Sequence, residues 1–193
     1  MSDQDRIRWD ERWLAREGDP SEVHPVMLKL DELLSNQTLD AKIGAALDIA
    51  CGRGQNSLYL ADLGYFVTGI DISQVALDKA RVEAEASQLA SRTLFVQMDL
   101  DEDRLPSGPF DLICVTRFLD RRLLPAMRQA IRPGGIIIYA TRHPGILQEY
   151  PNTQSSFLLE EGEMLNWFPG WKVHLYHEGP VEAEIIVQKR GAD

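Results

Sequence analysis

Short apolar runs recur along the chain, and most are apolar at successive positions rather than at alternate ones. They are "AALDIA" (45–50), "FVTGID" (66–71), "TLFVQMD" (93–99), "FDLICV" (110–115) and "GIIIYAT" (135–141). A strand covered on both faces reads this way, because neither face meets water. Between the runs lie helix-like segments. "QNSLYLADLG" (55–64) ends on Gly64. "SQVALDKARVEAEASQL" (73–89) opens on Ser73, whose hydroxyl suits the free N–H groups of a first helical turn. "RRLLPAMRQAIRPGG" (121–135) stops at Pro133-Gly134-Gly135. Strand alternating with helix predicts right-handed crossovers and an α/β fold on a parallel sheet.

The tail breaks the alternation. "KVHLYHEG" (172–179) and "EAEIIVQKR" (182–190) are strand-like runs separated by a short turn, so they pair as an antiparallel hairpin. Before them, "LLEEGEMLNWF" (158–168) predicts a short helix, and 144–156 an irregular surface loop. At the other end, Trp9, Arg12 and Trp13 share one face of a helix by their i, i+3, i+4 spacing.

Composition narrows the class. A chain of 193 residues with 44% hydrophobic and 26% charged residues suits one domain with its own core, here residues 1–193. The formal net charge of -10 would repel a phosphate backbone, so nucleic acid is not the expected partner. Cys51 and Cys114 lack the spacing of a metal pair, no metal site is expected, and two thiols fit a reducing cytosol. The first twenty residues are charged throughout, without the apolar core of a signal peptide. No apolar run is long enough to cross a membrane, so a cytoplasmic location is expected.

The most informative stretch is "LDIACGRGQNSLYLA" (47–61), a strand, a glycine turn and a helix. In open α/β sheets, ligands bind beyond the carboxyl ends of the strands, and the helix behind such a turn offers free N–H groups to an anion. A dinucleotide fingerprint would read G-x-G-x-x-G, but Gly52 and Gly54 are followed by Ser57. Asp48 also argues against a pyrophosphate, which its charge would repel. The same carboxylate suits S-adenosylmethionine, which carries a sulfonium, an ammonium and a single carboxylate for the turn. Asp71 ends the second strand, where an acid accepts the hydroxyls of a ribose. Asp99, in "FVQMDLD", is placed to accept from an exocyclic amine.

"LDIACGRGQNSLYLA", "VTGIDIS", "FVQMDLD" and "FDLICVTRFL…RPGGIIIYAT" together resemble the successive motifs of class I S-adenosylmethionine-dependent methyltransferases. The resemblance implies a three-layer Rossmann-like fold, with a mostly parallel sheet ending in a C-terminal antiparallel hairpin. "WDERW" (9–13) and "FLLEEGEMLNWFPGWKVHLYHE" (157–178) look like the small tellurite-resistance and thiopurine type, which methylates soft nucleophiles. It also implies S-adenosyl-L-methionine as cofactor and a small-molecule acceptor with a thiol, chalcogen or amine. By the same resemblance, Ala50, where the family more often has glycine, lines the methionine part with Gly52 and Gly54. Asn56 follows in the same motif. Asp48 supports the turn and the amino group, Asp71 takes the ribose, Ile72 packs on adenine, and Asp99 and Leu100 mark the adenine edge. Thr116 or Arg117 lies near the sulfonium. Trp9, Arg12 and Trp13 belong to a helical lid over about residues 1–35.

Other readings of the same residues stand beside these. Trp9, Arg12 and Trp13 also fit a plain amphipathic helix on the core. His143, in "TRHPG" after the fifth strand, is the candidate general base, and equally a turn residue before Pro144. His174 and His177 read as surface imidazoles, and Cys51 as packing rather than a nucleophile. The rival functions are a nicotinamide-dependent oxidoreductase on a related sheet and a non-catalytic cofactor-binding protein.

Overall fold

The computed structural model describes residues 3–15, 22–39 and 41–191; residues 1, 2 and 16–21 of the expected N-terminal lid lie outside them. Two helices come first, α1 (Asp3–Ala15) and α2 (Pro25–Ser35). Then follow β1 (Ala45–Ile49), α3 (Gln55–Asp62), β2 (Phe66–Asp71), α4 (Gln74–Ala86), β3 (Thr93–Gln97), β4 (Phe110–Thr116), α5 (Leu124–Ala130), β5 (Ile131–Arg142), β6 (Lys172–Glu178) and β7 (Glu182–Gln188). The strands form one seven-stranded sheet in the order β3-β2-β1-β4-β5-β7-β6. The first five are parallel, and β7 lies antiparallel between β5 and β6.

Burial explains the unbroken apolar runs. Leu47, Ile49, Ile113, Val115, Ile137 and Tyr139 face one core with α5 and Trp167. Ala46, Leu112, Cys114, Ile136 and Ile138, one residue out of phase, face the other with Val26, Met27 and Leu30 of α2 and Leu60 of α3. Period-two alternation therefore divides side chains between two apolar layers, not between core and water. A smaller cluster joins Leu77, Ala80 and Ala84 of α4 to Phe95.

The chain order runs outward from β1 to β2 and β3 on one side, and to β4 on the other. The β1–β4 boundary is thus the switch point of the sheet, with a crevice at its carboxyl edge. Asp48 sits there, in register with Gly69 of β2 and Cys114 of β4.

Some elements differ from the sequence expectation. The helix expected over 121–135 stops at Ala130, preceded by a 3-10 turn at Arg121–Leu123. Pro133-Gly134-Gly135 lies inside β5, where the register against β4 shifts between Phe110 and Leu112. Gly134 takes φ +81°, and its N–H donates to the Lys189 carbonyl, so these residues form a strand irregularity rather than a helix stop. The short helix expected at 158–168 is only a 3-10 turn, Glu163–Asn166, because Gly162 turns the chain at φ +69° and Trp167 is drawn edge-on to Tyr139, 5.0 Å between centroids. The loop at 144–156 carries 3-10 turns at Pro144–Gln148 and Ser155–Phe157. β3 ends at Gln97, two residues short of Asp99. Among the described residues, no helix is long and apolar enough to cross a membrane.

Candidate active site

Three residues of the first turn adopt left-handed backbone: Ala50 at φ +55°, Gly52 at +54° and Gly54 at +77°. Glycine reaches this region freely, while an L side chain costs roughly 1–2 kcal/mol. The turn is tied down from two sides. Cys51 N–H donates to the Ile70 carbonyl at 3.0 Å. Gly52 N–H donates to Asp71 Oδ2 at 2.8 Å, while Asp71 Oδ1 accepts Ser73 N–H at 2.9 Å. The carboxylate at the end of β2 therefore holds both the glycine turn and the entrance to α4.

Asp48 lies beneath the turn, fully buried, and accepts Ser57 Oγ–H at 2.6 Å. Burial pushes its carboxyl up to about 7; the Ser57 hydrogen bond opposes this, and the charge of Asp71 adds to it. Burial also raises the Asp71 carboxyl, against the N–H groups of Ser73 and Gly52. Two desolvated carboxylates at one turn form a site that a cation would relieve.

α1 closes over this turn. Asp10 Oδ1 accepts Ser73 Oγ–H at 2.6 Å and Val75 N–H at 3.3 Å, adding a cap to α4 from outside. Lys79 Nζ donates to the Trp13 carbonyl at 2.5 Å. The Trp13 ring lies so near Gly52 that a β-carbon there would be 2.9 Å from Cζ2. Arg12 stacks on Trp9, its guanidinium carbon 5.0 Å from the ring centroid.

The other wall comes from α2 and β4. Asn56 Oδ1 accepts His24 N–H at 2.9 Å, and its Nδ2 donates to Thr116 Oγ1 at 2.8 Å. His24 is buried, with Nδ1 accepting Val26 N–H at 3.2 Å, which leaves Nε2 to donate to Glu182 Oε1 at 3.0 Å. Both ring nitrogens are engaged, so this imidazole fixes the start of α2 against β7.

An inner cavity of about 160 Å³ lies between these walls. Trp9, Trp13, Ala50, Gly52, Asp71, Ile72, Asn56, Leu100, Thr116 and Arg117 are among the residues that line it. An outer cavity of about 780 Å³ adjoins it, and Trp9, Arg12, Arg117, Phe118 and Arg142 border both. Another cavity of about 640 Å³ opens at the opposite end of the strands, beside Asp111, Arg132 and Gly135, and shares none of these residues.

Four of the expected site residues do not line the inner cavity. Asp48 lies outside its lining, bonded to Ser57 of α3. Gly54 turns into α3, its N–H on the Cys51 carbonyl at 2.9 Å. Asp99 is bound up in its own loop: its N–H meets Asp103 Oδ2 at 2.8 Å and its Oδ1 accepts Asp101 N–H at 3.0 Å. His143, read from the sequence as a general base or a turn residue, turns toward the hairpin, with Nε2 2.9 Å from Glu178 Oε1, and borders neither cavity. Its neighbour Arg142 points to the crevice instead, as alternation along a strand requires. Burial raises the Cys51 and Cys114 thiols well above their ordinary range, so neither is an activated nucleophile.

The lining also holds Glu22, His24, Cys51, Gln55, Phe118 and Arg142, which sequence reasoning missed as site residues. One signal was present for His24: it stands directly before Pro25, at the position that caps a helix opening on proline.

A family model described as a methyltransferase domain matches residues 46–135, from β1 into β5. The chain is 30% identical, over 192 aligned residues, to a ubiquinone biosynthesis O-methyltransferase of Nitrosococcus oceani; the match covers 94% of this chain and 77% of that one. The chain belongs to the class I S-adenosylmethionine-dependent methyltransferases. Its cofactor is accordingly S-adenosylmethionine. A ubiquinone biosynthesis O-methyltransferase of Coxiella burnetii is 31% identical over 124 residues, 62% of this chain, and there the match spans only 50% of the relative. The structure of TehB from Haemophilus influenzae superposes with a TM-score of 0.73 over 94% of this chain and 67% of that one. At 19% identity that likeness shows a shared methyltransferase fold and nothing about the acceptor. The resemblance to the tellurite-resistance type thus extends to architecture alone, while the longer sequence match runs to an oxygen-methylating enzyme.

The residues present fit this cofactor. A β-carbon on Gly52 would meet the Trp13 ring, so only glycine allows so close an approach to the turn, and the buried carboxylates of Asp48 and Asp71 match a cationic ligand. A nicotinamide dinucleotide would instead bring its pyrophosphate over the Asp48 carboxylate.

Proposed function

We propose that the protein transfers a methyl group to an oxygen of a small-molecule acceptor held in the outer cavity. The observation that carries the reading is the match to an O-methyltransferase over 94% of this chain, joined to an outer cavity that adjoins the inner one beside the glycine turn. Bound S-adenosylmethionine supplies an electrophilic methyl on a sulfonium.

The chain's own residues align the partners and keep water out. Charge disperses as methyl passes from sulfonium to a nucleophile, so alignment and exclusion of water matter more than a strong electrostatic clamp. In this reading, Gly52 lets the backbone approach the cofactor, Asp71 takes the ribose through its remaining lone pairs, and Ile72 and Leu100 flank the adenine. Asn56, Thr116 and Arg117 form the wall nearest the reacting atoms. A hydroxyl, unlike a thiol of pKa about 8.5, holds its proton at neutral pH and needs an acceptor for it. Glu22, an exposed carboxylate of the inner lining, has that chemistry, whereas both nitrogens of His24 are engaged.

α1 acts as the lid. Ligand sites for drug-sized molecules run to roughly 300–1,000 Å³. The inner cavity is about 160 Å³ with Trp13 against Gly52, so a whole nucleoside enters only as α1 lifts.

The test is calorimetric titration of the native chain and Asp71→Ala with S-adenosylmethionine and S-adenosylhomocysteine, then turnover with matched phenols, thiols and amines. Binding of both ligands, weakened at least tenfold in the variant, with turnover fastest on oxygen, is the expected result. Turnover confined to thiols or amines would overturn the choice of oxygen, and absence of binding would overturn the site.

A further inference from the structure

The wall between the two cavities is rich in arginine. Six arginines border the outer cavity, in a chain whose formal charge is -10. Three are engaged in ion pairs. Arg8 pairs with Asp5 at 2.7 Å, Arg121 with Glu163 at 2.5 Å, and Arg122 with Asp120 at 2.7 Å and with Asp101. Arg12 stacks on Trp9. Arg117 and Arg142 differ: among the described residues, neither guanidinium has an ion pair or a hydrogen bond. Glu182, opposite Arg142 in the β5–β7 ladder, is turned to His24 instead.

These two arginines come from adjacent strand ends. Arg117 follows β4 directly, and its N–H donates to the Ala140 carbonyl of β5 at 2.8 Å, two residues before Arg142. Arg117 also stands at φ +56°, in left-handed backbone without being glycine. Such a conformation is strained and persists where the surroundings enforce it, most often at ligand sites. Aromatic surface lies beside the pair: Phe118 and Trp9 border both cavities, and Tyr150 and Phe157 line the outer one while more than a third exposed. A planar guanidinium matches a carboxylate in a two-pronged hydrogen bond, and aromatic faces take up a ring.

We infer that the acceptor is an aromatic hydroxy acid whose carboxylate docks between Arg117 and Arg142, with its ring against Phe118 and Trp9. This rests on the methyltransferase reading of the site. The cofactor has a carboxylate of its own, and the experiment separates the two sources. First, S-adenosylhomocysteine is titrated into the native chain, Arg142→Gln and Arg117→Gln. With that ligand saturating, each protein is then titrated with 4-hydroxybenzoate, 4-hydroxyphenylacetate and 4-hydroxycinnamate, each beside its neutral methyl ester.

At least one acid should bind the native chain tenfold or more tightly than its ester. That preference, measured with S-adenosylhomocysteine saturating each protein, should fall to threefold or less in both variants. Equal binding of acids and esters, or binding of neither, overturns the inference, as does a preference that survives either substitution. A tenfold loss of S-adenosylhomocysteine affinity with the acid preference intact assigns the arginines to the cofactor and also overturns it. If the native chain binds no S-adenosylhomocysteine, the cofactor site itself has failed, and the first titration shows that before any acid is added. Melting curves establish that the variants are folded, and either arginine alone suffices for the test if the other variant is not.

Discussion

Trp13 lies against Gly52, so that a β-carbon at position 52 would sit 2.9 Å from the indole Cζ2. Two demands meet at this glycine: a left-handed φ of +54° and the close approach of α1. Gly52→Ala should therefore incur both the backbone cost of roughly 1–2 kcal/mol and displacement of the indole. For a chain of this size, each kcal/mol corresponds to roughly 2–4 °C in Tm. We expect a fall of about 3–8 °C and a red-shifted tryptophan emission as Trp13 leaves the turn. Ala50→Gly is the matched control. It relieves strain at φ +55° but frees the unfolded chain, so its stability should stay within about 1 kcal/mol of the native value. A Gly52→Ala protein with native Tm and native emission would contradict the contact.

Asp10 is one of the polar links that dock α1, beside the hydrogen bond from Lys79 to the Trp13 carbonyl. Its carboxylate accepts from Ser73 Oγ–H and Val75 N–H, and no residue of α1 is fully buried, so little apolar packing duplicates that link. Ser73 still caps α4 alone, because its hydroxyl also accepts Ala76 N–H at 3.2 Å. Asp10→Ala should cost no more than a cap, roughly 0.5–2 kcal/mol, while amide hydrogens of residues 3–15 exchange much faster than in the native chain. Native exchange rates over 3–15 would show that Asp10 does not hold the helix.

Glu22 separates the possible acceptors. If it takes the proton of an oxygen nucleophile, Glu22→Gln should lower kcat for a phenol by roughly 10²–10⁴, the usual worth of a positioned base. Thiols should lose far less, because they ionise near neutral pH. S-adenosylhomocysteine affinity measured alongside reports whether the cavity is intact. Equal losses for phenol and thiol would assign Glu22 to binding rather than proton transfer.

The parallel strands and the glycine turn were legible because their causes are local. Runs such as 110–115 are apolar throughout since both faces are covered, and the turn needs small residues wherever the sheet is placed. "RPGG" misled because proline and glycine mark any backbone irregularity; whether it ends a helix or bends a strand depends on β4 and β7 alongside. The two readings of His143 stay open in the sequence for a related reason. A position just past a strand end names two faces, and only the pairing with Glu178 shows which one the imidazole takes. Arg142, one residue earlier, faces the crevice. Glu22 and His24 come from a segment before β1, and only tertiary packing through Asn56 and Glu182 brings that segment to the turn.

Asp48 gives the site a pH signature with a definite sign. Burial raises its carboxyl from 3.8 to about 7 in the folded protein, so the fold binds this proton more tightly than the unfolded chain does. Its contribution to stability is therefore fully present below pH 3.8 and is lost as pH rises toward about 7. One pKa unit corresponds to about 1.4 kcal/mol, so the loss is on the order of a few kcal/mol. Glu163 and Glu178, whose carboxyls are held low, act oppositely, losing stabilisation as pH falls through their folded values. The clean measurement is thus a difference. Denaturant unfolding of the native chain and of Asp48→Asn, which keeps an acceptor for Ser57, should show the variant gaining relative stability steadily between pH 4 and 7. A cationic ligand favours the ionised carboxylate, so S-adenosylmethionine binding near pH 6 should release protons, seen as a binding enthalpy that varies with the buffer, and Asp48→Asn should reduce that release. Parallel stability curves for the two proteins, with a buffer-independent enthalpy, would mean that Asp48 is already ionised beneath the turn and that its charge is balanced by something other than the ligand.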